Sequence, residues 1–277
     1  MEPLPKGIKI VKDLEYARPN GKPLLLDLYL PENPRRPVPL VICIHGGAWM
    51  SGSKDPCTEI TLAPYGFALA SIDYRLSQDA VWPAQIHDCK AAVRWLRLHA
   101  KTYNLDPTRF AAVGGSAGGH LCAVLALSAG VKDLEGDLGN PNVSSSIQTV
   151  CDVCGPTDFL AMSKFPMDWD SLAPDSFVAN LIGGPIRDNP DKVRHANPIT
   201  YVTKKAPPFL IFHGAADRTV PINQSELLVA ALTKAGVPVK YIPIPGGGHN
   251  LAEQPGNTEM MIRTMAEFFA EKMKVKK

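Results

Sequence analysis

With 277 residues, 45% of them hydrophobic and 20% charged, the chain can bury a full core and does not have the composition of a disordered segment. Its formal charge is +2, and basic residues are interspersed with acidic ones until Lys272, Lys274, Lys276 and Lys277. That pattern offers no basic face, which argues against nucleic acid and membrane surfaces as partners.

In chain order, short apolar runs alternate with longer helical patterns. Two strand candidates come first, IKIVKDLEYA and PLLLDLYLP, joined by RPNGK, whose Asn20-Gly21 reads as a hairpin turn. PLVICIHGG and FALASIDYR are the next strands, followed by a helix, AQIHDCKAAVRWLRLHAKTY. Then come strand RFAAVGG, helix SAGGHLCAVLALSAG and strand IQTVCDVCG. Strand APPFLIFHG, helix INQSELLVAALTKAG, strand VKYIPIPG and helix NTEMMIRTMAEFFAEKMK complete the set. VICI, FAAV and FLIF are continuously apolar, as strands covered on both faces must be. The expected fold is α/β in a single domain over 1–277: a mostly parallel central sheet, an N-terminal antiparallel hairpin, and helices on both faces. From Phe159 to Tyr201, Pro, Asp, Asn and Gly dominate, and only short pieces such as DSFVANLIGG look helical. A connection this long reads as a small cap insertion at about 159–201.

No window approaches the roughly 18 apolar residues of a membrane span, and MEPLPKG lacks the regions of a secretory signal. The expectation is a soluble protein, cytoplasmic as given, and secreted or periplasmic if a signal peptide has been removed. Six cysteines sit mostly in apolar segments and read as buried free thiols. Cys151 and Cys154 form a C-x-x-C on a strand-like run, where a three-residue spacing points them to opposite faces. No second C-x-x-C or Cys/His pair completes a zinc site, so no metal is expected.

FAAVGGSAGGHLCAV combines a strand, a glycine turn and a helix, an arrangement shared by three chemistries. A dinucleotide fingerprint would need glycine where Ser116 stands. A P-loop would need lysine after Gly119, which is followed by His120. Gly114, Ser116 and Gly118 match G-x-S-x-G, in which a serine stands on a strained strand-to-helix turn. A serine nucleophile needs a base, and its oxyanion needs backbone donors. HGGAW places His45, Gly46, Gly47, Ala48 and Trp49 after a buried strand, and Ala117 would add a complementary N–H. Asp217 follows the FLIF strand and His249 the next one, giving the order Ser, Asp, His.

Each of these residues also has a plainer reading. H-G-G is a common turn, Asp217 could cap a helix near Pro221, and His249 could be a loop histidine. Asp158 in CGPTDF is the alternative acid. His45 reads as a structural hydrogen-bonding residue. His87, His99 and His120 read as surface or helix-packing residues, and His213 as a buried, hydrogen-bonded one. His195 lies in the cap segment, where a substrate contact is open.

HGGAW, SIDYRL with WPAQIHDCKAAVRWLR, GGSAGGHL, GPTDF, HGAADRTVP and GGGHN together resemble the α/β-hydrolase superfamily. Within it, the chain is similar to the esterase/lipase group related to hormone-sensitive lipase, especially an H-G-G-x-W branch of feruloyl and acetyl-xylan esterase-like proteins. The resemblance implies Ser116 as nucleophile, Asp217 as acid and His249 as base, with Gly47, Ala48 and Ala117 as oxyanion donors. The lipase-like branch often writes H-G-G-G, and Ala48 at the third position leaves the choice among Gly46, Gly47 and Ala48 open. Trp49, the candidate substrate-binding residue, either lines the acyl pocket or packs under the turn. Phe165, Met167, Trp169 and Phe177 are candidate pocket walls from the cap. The implied activity is that of a serine carboxylesterase acting without cofactor on a small-molecule or glycan ester, acetyl or feruloyl esters of plant polysaccharide among them. An arylformamidase-like amide hydrolase and a non-catalytic binding protein are the alternatives.

Overall fold

The computed structural model describes residues 4–275; Met1, Glu2 and Pro3 of the MEPLPKG start, and Lys276 and Lys277 of the terminal lysines, lie outside the described residues. Eight strands make one sheet: β1 (Ile8–Ala17), β2 (Leu24–Pro31), β3 (Val38–Ile44), β4 (Ala68–Ile72), β5 (Leu105–Gly115), β6 (Thr149–Val153), β7 (Phe209–Gly214) and β8 (Val239–Ile244). Their order is β1-β2-β4-β3-β5-β6-β7-β8. β1 pairs antiparallel with β2 and β2 with β4, and every pair beyond is parallel. The expected α/β sheet with an N-terminal hairpin is what forms. Asn20 (φ 49°) and Gly21 (φ 80°) turn the hairpin in the left-handed region that an Asn-Gly pair tolerates.

Burial follows position in the sheet. The interior strands β3 and β7 are buried at every residue, while the edge strands β1 and β8 expose several. Pro243 sits on the outermost strand, where a missing N–H costs least.

The helices are α1 (Ala84–Leu98), α2 (Ala117–Leu127), α3 (Lys132–Glu135), α4 (Phe159–Met162), α5 (Phe177–Ile182), α6 (Pro190–Ala196), α7 (Asn223–Lys234) and α8 (Asn257–Lys272). α1, α2 and α7 contribute to the core on one face of the sheet; α8 and the 3-10 turn Thr58–Tyr65 contribute to the core on the other. α8 does so through Met265 and Phe269 with Met273 beyond, an i, i+4 stripe. α1 ends five residues earlier than its pattern suggests, because hydrogen-bonded turns follow His99 and Asn104 takes φ 53°. Between β6 and β7, residues 159–201 fold into α4, α5, α6 and a 3-10 turn at Pro198–Tyr201. Val178, Leu181, Ile182 and Val193 from this segment join the core that α1 and α2 share.

Two cations hide on α1. Lys90 and Arg94 recur at i, i+4 with fully buried side chains and meet across Glu135. Lys90 Nζ donates to Glu135 Oε1 (2.9 Å) and to the Ser128 carbonyl (2.7 Å). Arg94 donates to the carbonyls of Glu135 (2.9 Å) and Leu138 (2.8 Å). Removing the carboxylate strands two buried charges, so Glu135→Ala is expected to cost about 3–5 kcal/mol, read as a lowered urea midpoint. A midpoint shift equivalent to under about 1 kcal/mol would show that the pair is solvated in practice.

Candidate active site

β5 ends at Gly115 and α2 begins at Ala117; Ser116 between them has φ 57° and ψ −122°, a conformation that costs a non-glycine residue energy. Its N–H donates to the Val153 carbonyl at 2.8 Å, tying the elbow to β6. Gly114 and Gly118 make the elbow sterically possible. A β-carbon on Gly114 would lie 2.6 Å from the Ile44 carbonyl oxygen, and one on Gly118 would collide with the same oxygen. Both glycines are therefore set by close approach of β3 to the turn, as the G-x-S-x-G spacing requires.

Asp217 and His249 follow β7 and β8. His249 Nδ1 lies 2.7 Å from Asp217 Oδ2, and a carboxylate only accepts, so Nδ1 carries the proton and Nε2 is left as acceptor. Asp217 Oδ1 accepts from the loop N–H groups of Thr219 (2.8 Å) and Val220 (2.9 Å), while α7 starts later at Asn223 with no side-chain cap, so Asp217 orients His249 and does not cap that helix. Burial works against the Asp217 charge, yet hydrogen bonds from His213 and His249 hold its carboxyl well below the usual range. Asp158, the alternative acid, instead caps α4 by accepting from Leu160 and Ala161 N–H and also accepts from Asn197 Nδ2 (3.3 Å); among the described residues no hydrogen bond joins it to His249. Ser116 and His249 line the same cavity. Among the described residues no hydrogen bond yet joins Ser116 Oγ to His249, a link that commonly tightens only around substrate.

The H-G-G turn crosses directly above the elbow: a β-carbon on Gly46 would lie 2.9 Å from the Gly115 carbonyl oxygen. Gly47 (φ 104°) and Ala48 (φ 53°) are left-handed. Among the described residues, the N–H groups of Gly47, Ala48 and Ala117 have no protein acceptor, which leaves them available to an anion.

Trp49 does not line this cavity, a correction to its expected substrate-binding place. It is only 3% exposed, packs edge-on against Phe159 and His120, and donates from Nε1 to His120 Nδ1 (3.3 Å). His120 then donates from Nε2 to the Ala196 carbonyl (2.8 Å), and burial lowers its pKa to about 4, so it is neutral. His195 accepts from Trp82 Nε1 (2.9 Å). His213 bonds Ser225 Oγ and the Val220 carbonyl, His87 the Asp133 carbonyl, and His99 stacks on Trp95. His45 stacks on Tyr74 and contacts the Gly46 carbonyl.

A cavity of about 420 Å³ opens beside Ser116 and His249. Its apolar wall comes from Leu251, Met261, Ile262 and Met265, with Val113 and Val153 at the sheet and Thr58, Glu59 and Thr61 opposite. Sequence reasoning missed this wall, and the stripe of methionines on α8 was its only trace. The aromatic residues expected there lie elsewhere: Phe165 and Phe177 are exposed, and Trp169 packs on Phe177 while donating to the Thr219 carbonyl (2.8 Å). Cys154 also lines the cavity. Contrary to the alternation expected of C-x-x-C, Cys151 and Cys154 pack into the same core layer, because Cys154 lies past β6 with φ 54°. All six cysteines are buried and free.

A truncated carbohydrate esterase from gut microbiota superposes with a TM-score of 0.87 at 35% identity, covering 96% of each chain. The propionate-bound esterase Est2 of Thermogutta terrifontis does so with a TM-score of 0.77 at 27% identity, covering 96% of this chain and 94% of its own. Esterase LipC of Mycobacterium tuberculosis is 32% identical over 230 residues, 81% of this chain and 56% of that protein, so the chain spans about half the length of this relative. The BD-FAE family model matches residues 26–232, a span that holds the H-G-G turn, the Ser116 elbow and the Asp217 loop, while β1, β8, His249 and α8 lie outside it. The chain therefore belongs to the BD-FAE family, α/β-hydrolases of the hormone-sensitive-lipase-like type.

Proposed function

We propose that the protein is a serine carboxylesterase acting through an acyl-enzyme, with Ser116 as nucleophile, His249 as base and Asp217 as its orienting acid. The observation that carries this reading is the strained Ser116 facing the same cavity as an imidazole held by a buried carboxylate. His249 Nε2 takes the Ser116 proton as Oγ attacks the ester carbonyl, and the resulting oxyanion sits among the N–H groups of Gly47, Ala48 and Ala117. His249 then protonates the leaving alcohol and activates water for deacylation. Residues 159–201 act as a cap within a single domain.

The substrate class proposed is a short-chain acyl ester of a small or carbohydrate alcohol. A solved relative that carries propionate and another described as a carbohydrate esterase support this choice. On p-nitrophenyl esters, kcat/KM for acetate to butyrate should exceed that for octanoate by at least about tenfold, roughly 1.4 kcal/mol of barrier. Acetylated xylan should release acetate at a measurable rate, with methyl ferulate as the aryl-acyl comparison. Turnover of N-formylkynurenine faster than every ester would replace this reading with an amide hydrolase.

A further inference from the structure

The sequence shows no spacing that completes a metal site, yet the fold gathers one from distant positions. Cys43 comes from the interior strand β3, Cys57 from the loop that leads into the Thr58–Tyr65 turn, and Glu59 from that turn itself. Their ligand atoms all lie within 4.8 Å of one another. We propose that Cys43, Cys57 and Glu59 form a binding site for one thiophilic divalent cation of the zinc class.

Donor chemistry selects the ion. Two thiolates and one carboxylate suit Zn²⁺ or Cd²⁺, whereas Mg²⁺ and Ca²⁺ require oxygen donors throughout. Among the described residues no salt bridge joins Glu59 to a basic side chain, and Glu59 Oε1 accepts from the neutral hydroxyl of Thr58 (2.8 Å). On ligation two metal–sulfur bonds form and the two thiol protons leave to solvent, so charge and atoms balance without a redox step. Three protein ligands leave the fourth tetrahedral position to water or to a group arriving from outside.

Access is open on both sides of the loop. Glu59 lines the cavity that holds Ser116 and His249, and Cys57 lines a second cavity of about 560 Å³ with Tyr29, Asp55 and Ile60. A cation here would clamp the turn that walls the Ser116 cavity onto the central sheet. A second convergence, Cys154 with His213 and Asp217, is a weaker candidate. Its members are all buried, Asp217 is already bonded to His249, Thr219 and Val220, and His213 to Ser225 and Val220.

The test is a Cd²⁺ titration of the whole protein under a phosphine reductant, reading the thiolate-to-cadmium charge-transfer band in the ultraviolet. One equivalent should saturate the band, Zn²⁺ should displace it, Mg²⁺ should not, and bound Cd²⁺ should raise Tm because it binds the folded state. Glu59→Gln should weaken binding at least about tenfold, as loss of a ligand does. Cys57→Ser should remove the stoichiometric band, and Cys154→Ser should leave it unchanged. Cys57 and Glu59 lie outside the sheet, so these variants decide the matter even if Cys43→Ser does not fold. A band that survives Cys57→Ser, a band that disappears in Cys154→Ser, or native protein that binds no Cd²⁺ would each overturn the site. Because binding is read without substrate, the result is separate from the esterase assignment.

Discussion

Ser116→Ala is expected to lower kcat on p-nitrophenyl acetate by about 10⁵- to 10⁶-fold, the scale at which removing a serine nucleophile halts acyl transfer. The folded state should survive, because the Ser116 hydroxyl has no protein hydrogen bond among the described residues to lose. The strained backbone at φ 57° is held by the Ser116 N–H on the Val153 carbonyl and by the closeness of Gly114 and Gly118 to Ile44, none of which depends on Oγ. Tm should therefore stay within a few degrees while turnover disappears. The variant should also fail to take up a phosphonate adduct on residue 116, read by intact mass. Retention of more than about 1% of wild-type kcat, once contaminating enzyme is excluded by the phosphonate readout, would remove Ser116 from the mechanism.

The second large effect separates two aspartates. Asp217→Asn should lower kcat by about 10⁴-fold, because a carboxamide can donate to His249 Nδ1 and so stabilise the tautomer whose Nε2 carries the proton. In the native arrangement Asp217 Oδ2 accepts from Nδ1 at 2.7 Å and leaves Nε2 as the base. Asp158→Asn should leave kcat within a few-fold, since asparagine caps a helix about as well as aspartate and keeps an oxygen that can accept from Asn197 Nδ2. Measuring both variants on one substrate makes the comparison internal. If Asp158→Asn carries the larger loss, the acid role belongs to Asp158 and the His249 contact is structural.

What the sequence made legible was local. Each of the eight strands carried its own apolar run, and Ser116, Asp217 and His249 each stood at the end of one, so strand ends alone brought them into order. The hairpin was readable from Asn20-Gly21 because two residues sufficed to specify it. What was not legible depended on residues far apart. The cavity wall of Met261, Ile262 and Met265 needs α8 to lie beside a strand some 150 positions earlier in the chain. The burial of Lys90 and Arg94 on α1 depends on Glu135, which reaches them from a separate segment. Cys154 escaped the two-residue alternation through one left-handed residue past the strand, which no period shows. Trp49 had two readings that differ only in which neighbour meets its ring, and His120 decides between them.

The segment between β6 and β7 is fastened to Trp82 through His195 and the Leu181 carbonyl, and also to the Asp217 loop and the nucleophile helix. Trp169 and Asp168 bond to the carbonyls of Thr219 and Arg218 on the Asp217 loop, while the Ala196 carbonyl accepts from His120 on α2. For anyone reshaping substrate scope, this makes the segment a poor place to begin a mutant library. Loosening it would disturb the acid loop and the nucleophile helix together, and activity would fall before selectivity changed. Thr61, Leu251, Met261, Ile262 and Met265 touch the cavity without holding either anchor, so diversity concentrated there should alter acyl preference with the reacting groups left in register.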